Sequence, residues 1–357
     1  MSLLKRLFLL LGSLIAGAVI YLLFAPTKID PVAWQPPAPP PLSGPYQQNS
    51  RLSSIQRLSL GDGKEPEDVA LDDAGRIYGG FNDGRIMQLQ ADGSQPRLFA
   101  NTYGRPLGLV FDSHQQLIVA DAVKGLLSIN QNGEITTLAT EAEDASFGCL
   151  NDLDIAADGT IYFTEASNKF PMKEFTSDIL EHRPNGRLLA YDPNTHMSRT
   201  ILRGIHFANG VAVSPDQSFV LVNETGQYRV LRVWLTGPKQ GQSDVFLDNL
   251  PGFPDGISSN GKDKFWLALV TPRNKVLDSV LPHPFLRKMI YRLPKFLQPK
   301  PERYSFVIAL DNTGHVVENL QDPSANCFAE IANVVERNGS LYFGSIGENA
   351  IGRFSLH

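Results

Sequence analysis

Cysteine is scarce, with only Cys149 and Cys327 in 357 residues. That excludes a thiolate zinc cluster and a dense disulfide framework. Whether the two meet is a matter of geometry that spacing does not decide. Excess basic charge is absent too. The chain carries 32 Lys and Arg against 37 Asp and Glu, a net charge of −5 with the signs interspersed. No nucleic-acid footprint results, and no nucleic-acid partner is expected. No Gly-x-Ser-x-Gly elbow occurs, so a serine hydrolase of that type is not supported. Helical periodicity is missing from nearly all of residues 51–260. The histidines offer no metal or triad spacing. His114, His182, His196, His206, His283 and His315 fall in turns or loops, and His357 is terminal. His206 lies three residues before Asn209 and reads as a solvated turn residue.

One uncharged apolar run is present, at residues 7–24. It is long enough for a thin or untilted membrane span. Lys5 and Arg6 precede it, which places residues 1–6 in the cytoplasm as a short stub. A cleaved signal peptide is the competing reading. The run is long for an h-region, and no clean small-x-small site follows Phe24, so an uncleaved single-pass signal anchor is expected. Residues 25–50 are proline-rich, including Pro36-Pro37-Ala38-Pro39-Pro40-Pro41, and read as a stiff extended linker. The rest would sit on this stalk outside the cytoplasm, in a periplasmic, extracellular or lumenal compartment. No composition break divides residues 51–357, so one domain is expected there.

That domain repeats one pattern: a polar corner, an apolar strand, then a Gly or Asp turn. Phe207-Ala208-Asn209-Gly210-Val211-Ala212-Val213-Ser214-Pro215-Asp216 shows it best. Six copies spaced by roughly 40–50 residues predict an all-β, six-bladed β-propeller. The corner residues in register are Glu67, Leu107, Asn151, Asn209, Asp255 and Ala332. Such corners open each innermost strand and should face one another on the central channel. Two carboxylates and two amide oxygens, from Glu67, Asn151, Asn209 and Asp255, then suit a hard cation such as Ca²⁺. Asn and Asp also favour turns for local reasons, so the set of four carries the argument and no single corner does.

Residues 51–60 look like a strand that completes the last blade and closes the ring. Strands are expected at 85–89, 125–129, 187–191 and 228–234. Two segments interrupt the rhythm. Residues 165–184 read as a long loop on one face. Residues 271–303 hold six prolines and a short helix-compatible run at 285–293, with Arg287, Lys288, Arg292 and Lys295. This second segment is a lid over the channel mouth, a contact with anionic lipid, or a solvated connector between blades.

Several stretches together carry a family resemblance. They are Asn151-Asp152-Leu153 with Ile161-Tyr162-Phe163-Thr164, Asn185-Gly186-Arg187-Leu188-Leu189, Phe207-Ala208-Asn209-Gly210-Val211, Pro251-Gly252-Phe253-Pro254-Asp255 and Asn338-Gly339-Ser340-Leu341-Tyr342. On these the chain resembles the strictosidine synthase-like branch of six-bladed propellers, which includes the adipocyte plasma membrane-associated proteins. That branch is related to paraoxonases and to the senescence-marker-protein/gluconolactonase group. The resemblance implies a calcium site at Glu67, Asn151, Asn209 and Asp255, and hydrolysis of esters or lactones at that ion, arylesterase- or lactonase-like.

The chain departs from those relatives at three places. Leu107 stands where paraoxonases have histidine. Asp255-Gly256 replaces an Asp-Asn pair. The counterpart of the strictosidine synthase glutamate falls nearest Glu330, which reads equally as a surface carboxylate. With no histidine and no serine elbow, Asp255 is expected to hold the ion and also to serve as the base, while Leu107 and Phe253 make the pocket apolar. The substrate expected is a small ester or lactone. The alternatives are an amine–aldehyde condensing enzyme of strictosidine synthase type and a non-catalytic, calcium-stabilised binding propeller.

Overall fold

The computed structural model describes residues 3–143 and 145–356. Six four-stranded antiparallel sheets follow one another around an axis, giving a six-bladed β-propeller. The innermost strands are Val69–Leu71, Pro106–Phe111, Cys149–Ile155, Ala208–Val213, Gly252–Ser259 and Ile331–Arg337. Each blade then runs outward in sequence order, through short turns except in the third and fifth blades, where helical segments intervene. Gly84 shows why one such turn needs glycine. Its φ is +93°, and a Cβ there would lie 2.8 Å from the Tyr103 backbone nitrogen.

The sixth blade borrows its outer strand from the other end of the domain. Gln56–Ser59 pairs antiparallel with the strand Ala350–Ser355, with Leu58 opposite Ile351. The closure expected from residues 51–60 is therefore present, although 51–54 form a 3₁₀ turn. Each middle strand is covered on both faces by neighbouring blades, so it reads as a continuous apolar run rather than an alternating one. Phe219–Glu224 and Leu117–Asp121 are buried at every position.

Among the described residues four α-helices accompany the blades. Helix α1, Leu3–Phe24, is apolar, with mean hydropathy 2.6 over its best window and none of that window buried. It starts four residues before the uncharged run and takes in Lys5 and Arg6; Met1 and Ser2, in the expected stub, lie outside the described residues. Helix α2, Phe175–Glu181, occupies the segment expected to be a plain loop. Helices α3, Lys275–Val280, and α4, Pro284–Arg292, fill the fifth-blade insertion. The Asn274 side chain caps α3 by accepting from the backbone N–H groups of Val276 and Leu277. Pro284 opens α4, where a missing N–H costs nothing.

The expectation of a free-standing stalk is corrected. Residues 25–50 are extended, but they lie on the propeller as a strap. Val32 donates to the Glu181 carbonyl at 3.1 Å, and Trp34 donates to the Leu281 carbonyl at 3.2 Å. Arg273 donates to the Pro37 carbonyl at 2.7 Å, and the buried Arg287 reaches the Val32 carbonyl. Ile29 and Tyr46 are buried, and Trp34 stacks on His182 at 4.4 Å between centroids. A proline-rich segment has few N–H groups for a sheet ladder, but its carbonyls remain free to accept from arginine. Both cysteines are buried and free, Cys149 in the third blade and Cys327 before the sixth.

Candidate active site on the propeller axis

All six corner residues, Glu67, Leu107, Asn151, Asn209, Asp255 and Ala332, line one small cavity on the axis. Its volume is about 10 Å³, the room needed by a single water or ion. Above it opens a pocket of about 180 Å³ whose floor is Glu67, Asn151, Asn209 and Asp255. Its walls are apolar. Phe175, Ile179 and Leu180 come from α2, Phe207 and Phe253 from the blades, and Leu277 and Ile290 from the fifth-blade insertion. The two interruptions of the strand rhythm thus build the walls above the polar floor.

The floor is electrostatically unbalanced. Burial, helped by the facing Glu67 carboxylate, pushes the Asp255 carboxyl well above the ordinary aspartate range, against a hydrogen bond from Asn209. Glu67 is also pushed up by burial, with Arg105 opposing. The Asn151 amide nitrogen is buried without a hydrogen-bond partner among the described residues. Two buried carboxylates, two amides and a cavity sized for one ion fit a hard divalent cation such as Ca²⁺. Among the described residues no group of three or more His, Cys, Asp or Glu could hold a metal, so such a site depends on the amide oxygens.

Sequence reasoning missed Arg105. Its guanidinium donates to Glu67 Oε2 at 2.7 Å and to the Glu65 carbonyl at 3.0 Å. One Glu67 oxygen is therefore tied to a cation already, and Asp255 is left as the carboxylate on this floor without an arginine partner. A signal was available: Arg105-Pro106-Leu107 stands in register with Glu65-Pro66-Glu67.

Also missed was a second ring, one residue further along each strand: Asp68, Gly108, Asp152, Gly210, Gly256 and Asn333. Asp68 accepts from the N–H of Val69 and of Leu109 in the next blade, both at 2.6 Å. Asp152 accepts from Leu153 at 2.8 Å and from Val211 of the next blade at 3.0 Å. Asn333 reaches across to Asp68. Glycine at 256 is required by this ring. A Cβ there would sit 2.5 Å from Asn333 Oδ1, so the oxygen ligand that seemed missing at this corner is space taken by a neighbour.

Three further expected residues are placed plainly. Leu107 is buried beside Ala122 and Cys149 and lines the small cavity. Phe253 forms part of the pocket wall. Glu330 is not brought to either cavity. Its φ is +51°, and its carboxyl packs against Gly347, with Arg303, Glu348 and Glu65 as its charged surroundings. His206 is also not a free turn histidine, because its Nδ1 pairs with Glu224 at 2.8 Å.

The architecture and polar axis define the class, a six-bladed propeller with an apolar pocket over a polar centre. A gluconolactonase from Xanthomonas campestris has the same fold, at TM-score 0.63 and 17% identity, covering 93% of this chain and 99% of that one. A calcium-binding regucalcin from Agrobacterium tumefaciens matches at TM-score 0.60 and 14% identity, covering 84% and 93%. These likenesses show a lactonase-like fold. Sequence goes further. A strictosidine synthase family model matches residues 151–238, and a strictosidine synthase-like N-terminal model matches residues 44–89. The chain is 34% identical to strictosidine synthase-like protein 4 of Arabidopsis thaliana, covering 88% of this chain and 86% of that one. It is 33% identical to the adipocyte plasma membrane-associated protein of Rattus norvegicus, covering 92% and 93%. The chain belongs to the strictosidine synthase-like family.

Proposed function

We propose that the protein is a membrane-anchored, calcium-dependent hydrolase of esters or lactones. The observation that carries this is the axial floor: two carboxylates and two amides, nearly fully buried, around a space for one ion and beneath apolar walls. Ca²⁺ held by Glu67, Asn151, Asn209 and Asp255 would polarise a substrate carbonyl. The chain's own residues do the rest. Arg105 engages Glu67 Oε2 and leaves the other oxygen as the one that could serve as a ligand. Asn209 orients the Asp255 carboxyl. Asp255, with no arginine partner on the floor, accepts the proton of the attacking water. Phe253, Phe207 and the α2 side chains exclude bulk water and favour aromatic or long-chain acyl groups over sugars. The fold of a calcium-binding neighbour and of a gluconolactonase supports this reading.

Helix α1 supplies the anchor, consistent with the plasma-membrane association in the name of a relative. Lys5 and Arg6 at its start favour a cytoplasmic N-terminus and a propeller outside. The amine–aldehyde alternative loses its base with Glu330 away from the pocket. The test is the purified full-length protein assayed on aryl esters and lactones with calcium and with chelator, beside Asp255→Asn with its metal content measured. Calcium-dependent turnover that collapses in Asp255→Asn while calcium is retained supports the assignment. Turnover unaffected by chelator, or none on any ester or lactone, overturns it and leaves a binding propeller.

A further inference from the structure

Helix α1 does not leave the propeller freely. Arg292, the last residue of α4, donates to the carbonyls of Ala25 and Leu22, each at 2.7 Å. The end of the apolar helix is thus fastened to the insertion that walls the axial pocket. Between them lies a second cavity of about 940 Å³. On one side it is lined by Ala18, Tyr21 and Leu22 of α1 with Lys28 of the strap, and on the other by Lys173, Glu174 and α2 and by the end of α4 with the segment after it. Ala18 is six residues before the helix end at Phe24, roughly 9 Å further down at 1.5 Å per residue. If α1 spans a bilayer, this cavity opens at acyl-chain depth.

The outer cavity and the axial pocket share three wall residues, Thr176, Leu180 and Gln298. These side chains stand between helix-side space and the pocket above Asp255. Gln298 is itself held by donating to the carbonyls of Leu293 at 2.9 Å and Tyr291 at 3.2 Å, a contact local to the insertion that can open without disturbing a blade. The same insertion presents apolar side chains to the outside: Phe285 is 54% exposed, Phe296 72% and Leu297 57%. Lys288, Lys295 and Lys300 flank them in the chain. Apolar tips beside lysines suit the headgroup boundary of an anionic membrane, and the contact is continuous with the helix that enters it.

We propose that the axial pocket is loaded sideways from the bilayer, past Thr176, Leu180 and Gln298, with a single-chain amphiphile whose carbonyl head reaches the polar floor and whose tail lies among the α2 side chains. This rests on the anchor reading of α1 and narrows the substrate class to membrane-resident acyl compounds. The insertion is the interfacial lip of the passage.

The test uses the full chain in vesicles of phosphatidylcholine and phosphatidylglycerol, with a long-chain fatty-acid methyl ester carrying a diazirine in its tail. After irradiation, adducts are mapped by mass spectrometry. Adducts are expected on α2 and on the strand bearing Phe253. Thr176→Trp, at an exposed position, should cut that pocket labelling at least tenfold while labelling of α1 persists and the melting temperature holds. Phe296→Glu with Leu297→Glu should also lower it several-fold. Adducts confined to α1, or pocket adducts that Thr176→Trp leaves undiminished, overturn the lateral route. The mature N-terminus read from the same sample separates the causes. A chain beginning beyond Phe24 removes the anchor reading itself, whereas an intact helix without pocket adducts removes only the route. Pocket adducts without ester turnover keep the route and discard the hydrolase.

Discussion

The two rings on the axis are neighbours in sequence and share residue types, yet their hydrogen bonding is opposite. In the inner-strand ring each oxygen of Asp68 and of Asp152 is matched to a backbone N–H, often of the adjacent blade. In the corner ring the Asn151 amide nitrogen has no partner, and Asp255 faces Glu67 in a buried space. A buried carboxylate matched to backbone donors fastens structure, and a buried polar atom left without a partner leaves room for a ligand. The chain therefore places its blade clamps one residue away from its candidate chemistry. Aspartate at 68 or 152 is a fastening, whereas aspartate at 255 is the proposed ligand and base.

The sharpest way to break that distinction is alanine at each ring. Asp152→Ala strips the acceptor from two buried N–H groups, Leu153 and Val211. At about 1–3 kcal/mol for each unsatisfied group, a loss of about 4 kcal/mol is expected. Asp255→Ala in chelator removes a carboxylate that repels Glu67 and should change stability by less than about 1 kcal/mol. Urea unfolding in EGTA measures both. Equal losses would mean that Asp255 is also a clamp.

A second contrast lies off the axis, where the strap meets the propeller. His182 is buried under Trp34 with its Nε2 unpartnered among the described residues, and burial, then the His206 and Arg287 charges, lower its pKa to about 3. Its folded pKa is below the unfolded value of about 6.5. Below that pH the unfolded chain takes a proton that the folded one refuses, so stability falls as pH drops from about 6.5 toward 3. The ceiling at pH 4 is about 3 kcal/mol, from 1.4 kcal/mol per pH unit. Asp178, raised to about 6 mainly by burial, runs the other way and gains stability as pH falls through 6. Comparing wild type with His182→Phe from pH 7.5 to 4 cancels the aspartate. The expected result is a smaller acid loss in the variant; parallel curves would show that His182 is charged in the folded protein.

Calcium distinguishes the rings by ligand rather than by mutation. An ion bound only to the folded state stabilises by about 2.7 kcal/mol at a hundredfold excess over its Kd. Wild type should melt several degrees higher in calcium than in EGTA, and Asn151→Ala should erase the difference. Asp152→Asn, altering a clamp, should keep it on a lower baseline. An unchanged wild-type midpoint, with no calcium by elemental analysis, removes the metal from the corner ring.

How far these features could be read from sequence depends on whether their causes are local. The six blades were legible because each copy carries its own turn chemistry and corner, and the closing strand because residues 51–60 stand before the first corner. The strap was not legible. Its partners Arg273 and Arg287 lie more than two hundred residues away, and proline content alone suggests a spacer. Glu330 could be read either as a pocket acid or as a surface carboxylate, because the pattern around it does not fix its register, and its carboxyl lies against Gly347. The clamp ring was visible as the Asp, Gly and Asn that follow the corners, but its role depends on which blade sits next door.

The smallest expected effect concerns Arg105, which sits between the two behaviours. It donates to Glu67 Oε2 at 2.7 Å, so it satisfies one oxygen of the corner ring as a clamp would and lowers the negative charge available to an ion. Removing it as Arg105→Met should leave Glu67 with both oxygens free. Calcium affinity, measured by titration calorimetry, is expected to rise about tenfold, or about 1.4 kcal/mol, because an opposing cation is gone and a carboxylate can bind through both oxygens. In chelator the same variant should be less stable than wild type, since a buried carboxylate has lost its partner. The two shifts must occur together if Arg105 holds Glu67 in the calcium-free protein and competes with the ion in the loaded one. Weaker calcium binding in Arg105→Met would instead assign the guanidinium to holding Glu67 in its liganding position, and the corner ring would then need its arginine as much as its carboxylates.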